Sequence, residues 1–171
     1  MLDWLAHIAV AIAVSILIIT FIAQITRVYG PSMMPTLLDG DRLIMEKISP
    51  RLGNIHRGDI VVIDVPEFAG KERNPIIKRV IGVGNDTVEI KGGKVYVNGN
   101  ALVENYVGGE VTSGIDPRYS YVRVPEGEIY VLGDNRDQSM DSRMIGPQKI
   151  KSVRGRAVFR IFPLDRAGFI R

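Results

Sequence analysis

Apolar residues follow two different patterns along this chain. From Trp4 to Ile25 the sequence runs WLAHIAVAIAVSILIITFIAQI, and no Asp, Glu, Lys or Arg stands between Asp3 and Arg27. That length suits a helix crossing a hydrocarbon core of about 30 Å. His7 and Ser15 are its polar interruptions before Thr20, and Trp4 sits where an interfacial aromatic belongs. A cleaved secretory leader is the rival reading, but it calls for a positive n-region and a shorter apolar core. Here the opening Met-Leu-Asp carries an acid. A buried core helix of this length would be unusual, so the pattern predicts a membrane anchor over residues 1–27.

Beyond residue 28 the pattern changes to short β-type runs punctuated by Gly, Asn and Pro. Ile60–Val65, Ile76–Val83, Thr87–Ile90, Lys94–Val97, Tyr121–Val124, Glu128–Leu132 and Val153–Ile161 all read as strands. Gly92-Gly93 and Asn98-Gly99 are two-residue hairpin signals, which makes residues 87–104 a meander. Residues 107–119 form a long irregular connection, and no later segment sustains a 3.6-residue period. The expected architecture is mainly β: one N-terminal transmembrane helix followed by an antiparallel, barrel-like all-β domain over residues 28–171.

Composition then removes most catalytic kits. The 171 residues include no Cys and only two His, far apart, which excludes a thiol nucleophile and makes a His-based metal or triad site improbable. The net charge of +3 is too mild and too scattered for a nucleic-acid footprint. Any hydrolytic nucleophile must therefore be Ser or Thr, activated by Lys or a carboxylate.

Three stretches carry candidate chemistry. In Gly30-Pro31-Ser32-Met33-Met34-Pro35-Thr36-Leu37 two prolines stiffen a turn around a small hydroxyl residue, and Gly30 allows close backbone approach. Such a turn presents a hydroxyl and an N–H to one point, although composition alone favours a linker turn. Lys78 and Arg79 lie on an apolar strand, Lys78 sharing a face with Ile76 and Val80. Only the lysine can lose its proton on burial; the competing reading is a snorkelling edge-strand Lys. In Gly133-Asp134-Asn135-Arg136-Asp137-Gln138-Ser139-Met140-Asp141-Ser142-Arg143, three Asp interleave with two Arg. The two Arg, and the lack of regularly spaced oxygen ligands, argue for an ion-paired structural loop over a metal site.

Taken in order, the anchor, Ser32-Met33-Met34-Pro35-Thr36-Leu37, Arg57-Gly58-Asp59-Ile60-Val61-Val62, Lys78-Arg79, GDNR and DSR resemble the type I signal peptidases. The resemblance runs from the anchor to Pro163. It implies a membrane-bound serine endopeptidase that removes signal peptides from exported preproteins, with Ser32 as nucleophile and Lys78 as general base. It further implies Ser139 orienting the lysine amine, an Asp141–Arg143 pair holding the loop, and Asp134 and Arg136 supporting the same region. The Ser32 N–H would be one oxyanion donor; the hydroxyl that some members carry two residues earlier is absent, because that position is Gly30. Cleavage would follow a small residue, with another two positions earlier. Val28, Met33, Leu37 and Ile77 are the expected pocket residues, and apolar residues around Phe68 are expected to touch lipid.

The resemblance implies no cofactor and no metal. Its partners are signal peptides and a lipid bilayer, without nucleic acid. The family places the domain on the extracytoplasmic side of the cell membrane behind a single pass. Counted alone, Arg27, Arg42, Lys47 and Arg51 after the helix point the other way. A self-cleaving Ser–Lys repressor is disfavoured, since the nearby Ala69-Gly70 lies downstream of Ser32. A membrane-tethered, non-enzymatic binding module would leave the ordered motifs unexplained.

Overall fold

In the computed structural model, which describes residues 3–65, 75–108 and 111–170, the N-terminal apolar run is helical only as far as Ile22. Helix α1 (Asp3–Leu17) passes into a π-helical turn, Ile18–Ile22. The 19 residues Trp4–Ile22 form an apolar span with none of it buried against protein. At about 1.5 Å per residue the span is about 28 Å long, close to a hydrocarbon thickness. The anchor helix was expected to continue to Arg27. Instead Ala23–Arg27 is strand β1, antiparallel to β2 (Arg42–Glu46), with Ile25 opposite Ile44 and Arg27 opposite Arg42.

The switch has a local and a long-range cause. Beyond the span, Gln24, Thr26 and Arg27 surround a single Ile25, a pattern for a wet strand. The carbonyls left at the helix end find cationic donors. Lys47 Nζ donates to Ile19 O at 3.0 Å, and Arg51 donates to Phe21 O at 2.8 Å and Thr20 O at 3.0 Å. Strand β2 escapes a reading by alternation because Leu43, Ile44 and Met45 are contiguous; Leu43 and Met45 are buried while Ile44 is half-exposed.

The remaining strands are β3 (Ile60–Ile63), β4 (Ile76–Val83), β5 (Thr87–Lys91), β6 (Lys94–Val97), β7 (Asn100–Ala101), β8 (Tyr121–Arg123), β9 (Glu128–Leu132), β10 (Gln148–Lys149), β11 (Val153–Phe162) and β12 (Gly168–Phe169). Short helices are α2 (Ile48–Arg51), α3 (Pro117–Ser120) and α4 (Ser142–Ile145). One sheet runs β1-β2-β11-β3-β4-β9-β10, with β12 added on β11; the second runs β7-β6-β5-β8. Every ladder is antiparallel. The expected meander is β5-β6-β7. Both of its turns need positive φ, supplied by Gly92 and Gly93 and by Asn98 and Gly99.

Among the described residues three apolar clusters fill the fold. The one beneath the Ser32 turn contains Val28, Met33, Leu37, Leu43, Met45, Ile60, Val62, Ile77 and Ala157. Phe68 and Ala69-Gly70 lie outside the described residues.

Candidate active site

The turn after β1 is fixed from both sides. Val28 N–H donates to Asp41 O and Gly40 N–H to Val28 O, so the loop of residues 28–41 closes on itself. Inside it, Met34 N–H bonds Pro31 O and Leu37 N–H bonds Met33 O, a helical winding that turns Met33 and Leu37 into the core and leaves Ser32 at the surface. Gly30 has φ +78°, with open space where a Cβ would stand. It therefore serves the left-handed backbone rather than the close approach expected of it. Its N–H is taken by Asp39 Oδ1 at 2.8 Å. The N–H of Ser32 has no protein acceptor among the described residues.

Strand β4 lies centrally between β3 and β9, Lys78 opposite Val61 and Arg79 opposite Leu132. Both cations are buried, at 3% and 2% exposure, but they are treated differently. Lys78 Nζ donates to Ser32 Oγ at 2.7 Å and to Ile77 O at 3.0 Å. It has no carboxylate within ion-pair distance among the described residues. Burial pushes its pKa from 10.5 down to about 8, partly opposed by the charges of Asp141 and Asp134 and helped by that of Arg143. A lysine in that range is neutral often enough near neutral pH to accept a proton. Arg79 instead makes a two-pronged pair with Asp134, Nε to Oδ1 at 2.8 Å and Nη2 to Oδ2 at 2.7 Å, with its guanidinium 4.0 Å from the Tyr106 ring centroid.

The polar loop after β9 is an ion-paired scaffold. Asp134 also accepts a hydrogen bond from the Thr36 hydroxyl, tying the loop to the Ser32 turn. Asp141 takes the Gly133 N–H at 3.0 Å, and both of its oxygens pair with Arg143. Arg143 also reaches Arg136 O at 2.6 Å and Ser113 O at 3.3 Å. Arg136, fully buried, pairs with Glu104 and bonds Thr112. Asn135 N–H donates to Ser32 O at 3.1 Å. A Cβ on Gly133 would lie 2.5 Å from Ser32 O and collide with Ser139, so only glycine lets the two segments meet. Thr112 and Ser113 give the long 107–119 connection a job: it closes the far side of this network.

The structure thus gathers Ser32, Lys78, Asp134, Arg136, Ser139, Asp141 and Arg143 in one place, with two departures from expectation. Ser139 Oγ is buried without a hydrogen-bond partner among the described residues, and the lysine amine is held by Ser32 and Ile77 O rather than by Ser139. Val28, Met33, Leu37 and Ile77, expected as pocket walls, are at most 7% exposed and belong to the core cluster beneath the turn. The apolar side chains that the turn leaves open are Tyr29, 66% exposed, and Met34, 41%. Sequence reasoning also missed Thr36, Arg79, Glu104 and Thr112. The one usable signal was Arg79, because an arginine inside an apolar strand requires a buried acid.

Residues 1–162 match the sequence model of a family described as signal peptidase, peptidase S26. A signal peptidase I of Leptolyngbya laminosa is 39% identical over 98% of this chain and 83% of its own length. One of Bacillus licheniformis is 39% identical over 95% and 89%. A crystal structure of a signal peptidase I from Enterococcus faecalis is 32% identical, covering 60% of this chain and 95% of that one with a TM-score of 0.49.

Proposed function

The chain belongs to the signal peptidase family, peptidase S26, and from that premise we propose that it works with Ser32 as nucleophile and Lys78 as general base. The activity follows from the family: a membrane-associated serine peptidase that removes signal peptides from preproteins. The observation that carries the residue assignment is the 2.7 Å contact between a serine hydroxyl and a buried lysine amine that has no carboxylate partner among the described residues.

In the proposed mechanism neutral Lys78 takes the Ser32 proton as Oγ attacks the scissile carbonyl carbon. The carbonyl π electrons move to oxygen, and the unpartnered Ser32 N–H is available to that oxyanion. As the intermediate collapses, the lysine ammonium gives its proton to the departing amine, leaving an acyl-enzyme. Lys78 then deprotonates a water that attacks the ester, and the returning proton restores Ser32. Gly30 has neither a hydroxyl nor a free N–H for a second oxyanion donor. Asp134, Arg136, Asp141 and Arg143 act by holding the loop that carries the Ser32 carbonyl contact.

The apolar span Trp4–Ile22 supports a single-pass anchor over the N-terminal residues with the β-domain after them, and the family supports an extracytoplasmic domain. Ser32 lies ten residues past the helix end, close to the plane in which a membrane-inserted signal peptide is presented. The test is cleavage of a preprotein by Ser32→Ala, Lys78→Ala and Lys78→Arg. All three should be inactive while keeping the parent's far-UV circular dichroism, because a guanidinium cannot accept the proton. Substantial activity in Lys78→Arg would remove the lysine from its role.

A further inference from the structure

Lys47 and Arg51 spend their side chains on the carbonyl oxygens of Ile19, Thr20 and Phe21, and Arg51 lies over the Phe21 ring, 5.2 Å from its centroid. These acceptors are neutral. Among the described residues neither cation forms an ion pair, so both charges stay uncompensated. Because the acceptors are the last residues of the span, the contacts also fix the height of Arg51. It stands at the boundary between hydrocarbon and headgroups.

Beside Arg51 opens a cleft of about 410 Å³ lined by Pro50, Arg51, Gly53, Ile150, Lys151 and Val153. It offers two cations over an apolar lining, and Lys151 likewise pairs with no carboxylate among the described residues. Ile48, 46% exposed, stands on the short helix that carries Arg51, and Leu52, 78% exposed, is the residue that ends it. Cations at phosphate level with apolar groups pointing past them are what an anionic membrane surface recognises.

We propose that this cleft is a binding site for the phosphate headgroup of an anionic phospholipid in the leaflet beside the domain. Arg51 and Lys151 hold the phosphate, and Ile48 and Leu52 enter the acyl boundary. The inference rests on the anchor reading of Trp4–Ile22. Soluble phosphate shares the headgroup chemistry, but the height of Arg51 at the end of the span favours the lipid.

The experiment places the full chain in nanodiscs of equimolar phosphatidylcholine and phosphatidylglycerol, then counts the lipids it retains by native mass spectrometry. The protein should keep phosphatidylglycerol in preference. Lys151→Gln should lower that preference about fivefold, the contribution of one basic residue at an anionic surface. Arg123→Gln, which removes an exposed charge on β8 outside the cleft, should leave it unchanged. Equal preference in the parent and Lys151→Gln overturns the site, as does an equal loss in Arg123→Gln, which would mean net charge alone. Displacement of phosphatidylglycerol by inorganic phosphate would overturn the lipid assignment. A chain that does not stay in the disc overturns the anchor and the site together; one that stays without lipid preference overturns the site alone.

Discussion

Holding Lys78 unpaired in the interior should cost stability, and the cost has a definite sign and pH window. The folded pKa is about 8 against 10.5 for an ordinary lysine, with burial the main cause. Between those values the unfolded chain binds a proton that the folded protein does not, so stability rises with pH across that interval. Below about pH 8 both states are protonated, and the folded protein carries the full cost of a buried ammonium. At about 1.36 kcal/mol per pH unit, the fall from 10.5 to about 8 amounts to about 3 kcal/mol. Lys78→Met keeps the volume and removes the charge. It should therefore be inactive yet more stable than the parent at pH 7 by up to about 3 kcal/mol, with the advantage gone near pH 10.5. For a chain of this length that is a rise in Tm of roughly 6–12 °C, readable by thermal melting in detergent. Arg79→Met is the contrasting control. It strands Asp134 as a buried, unpaired carboxylate and should lower Tm, because breaking such a pair costs about 3–5 kcal/mol. A Lys78→Met protein that melts at or below the parent's temperature at pH 7 would refute the idea that the buried ammonium is a burden on the fold.

The same titration governs rate: kcat/KM on a soluble peptide should rise about tenfold from pH 7 to pH 9 and then level off as the amine becomes neutral, and a flat profile would count against the lysine base. Asp134→Asn should destabilise the domain by about 3–5 kcal/mol. It should also move the midpoint of that profile to lower pH, since the Asp134 charge raises the Lys78 pKa; a midpoint that stays or rises contradicts the electrostatic account. A preprotein with Phe in place of the small residue at the cleaved bond should survive incubation on a gel assay, and its efficient processing would argue against small pockets.

How much of this was legible depended on whether the deciding interaction was local. The strands came through because β-branched runs between Gly and Asn turns carry their own signal, and Asn98-Gly99 names its turn outright. Strand β1 was absorbed into the helix, because what ends the helix is 20 or more residues away: Lys47 and Arg51 on its carbonyls, and β2 beside it. Ser32 and Lys78 were found through the ordered motifs, not through spacing, for 46 residues separate them. The expected pocket residues Val28, Met33, Leu37 and Ile77 are neighbours of the dyad in sequence. A turn wound tightly enough to expose Ser32, however, necessarily drives Met33 and Leu37 inward. The role of Arg79 was not legible because its partner, Asp134, lies 55 residues on.

The arrangement of charge around the dyad explains why a lysine base comes with so many arginines. Three buried or nearly buried acids, Asp134, Asp141 and Glu104, face three buried arginines, Arg79, Arg143 and Arg136, each acid engaged by two guanidinium nitrogens. An arginine stays charged at any working pH, and its planar fork fixes a carboxylate in position. The acids are thereby held by cations that never compete for the catalytic proton. Any one of them moved within ion-pair distance of Lys78 would stabilise the ammonium and raise its pKa toward or above 10.5, leaving almost no neutral amine near pH 7. The loop therefore does two things with one set of bonds. It holds Gly133 and Asn135 against the Ser32 carbonyl, and it keeps negative charge near enough to be felt by Lys78 but not bonded to it. An Arg79→Lys variant tests the distinction: a second lysine facing Asp134 lacks the two-pronged grip, so the carboxylate gains freedom to turn toward Lys78, and the midpoint of the pH–rate profile should rise.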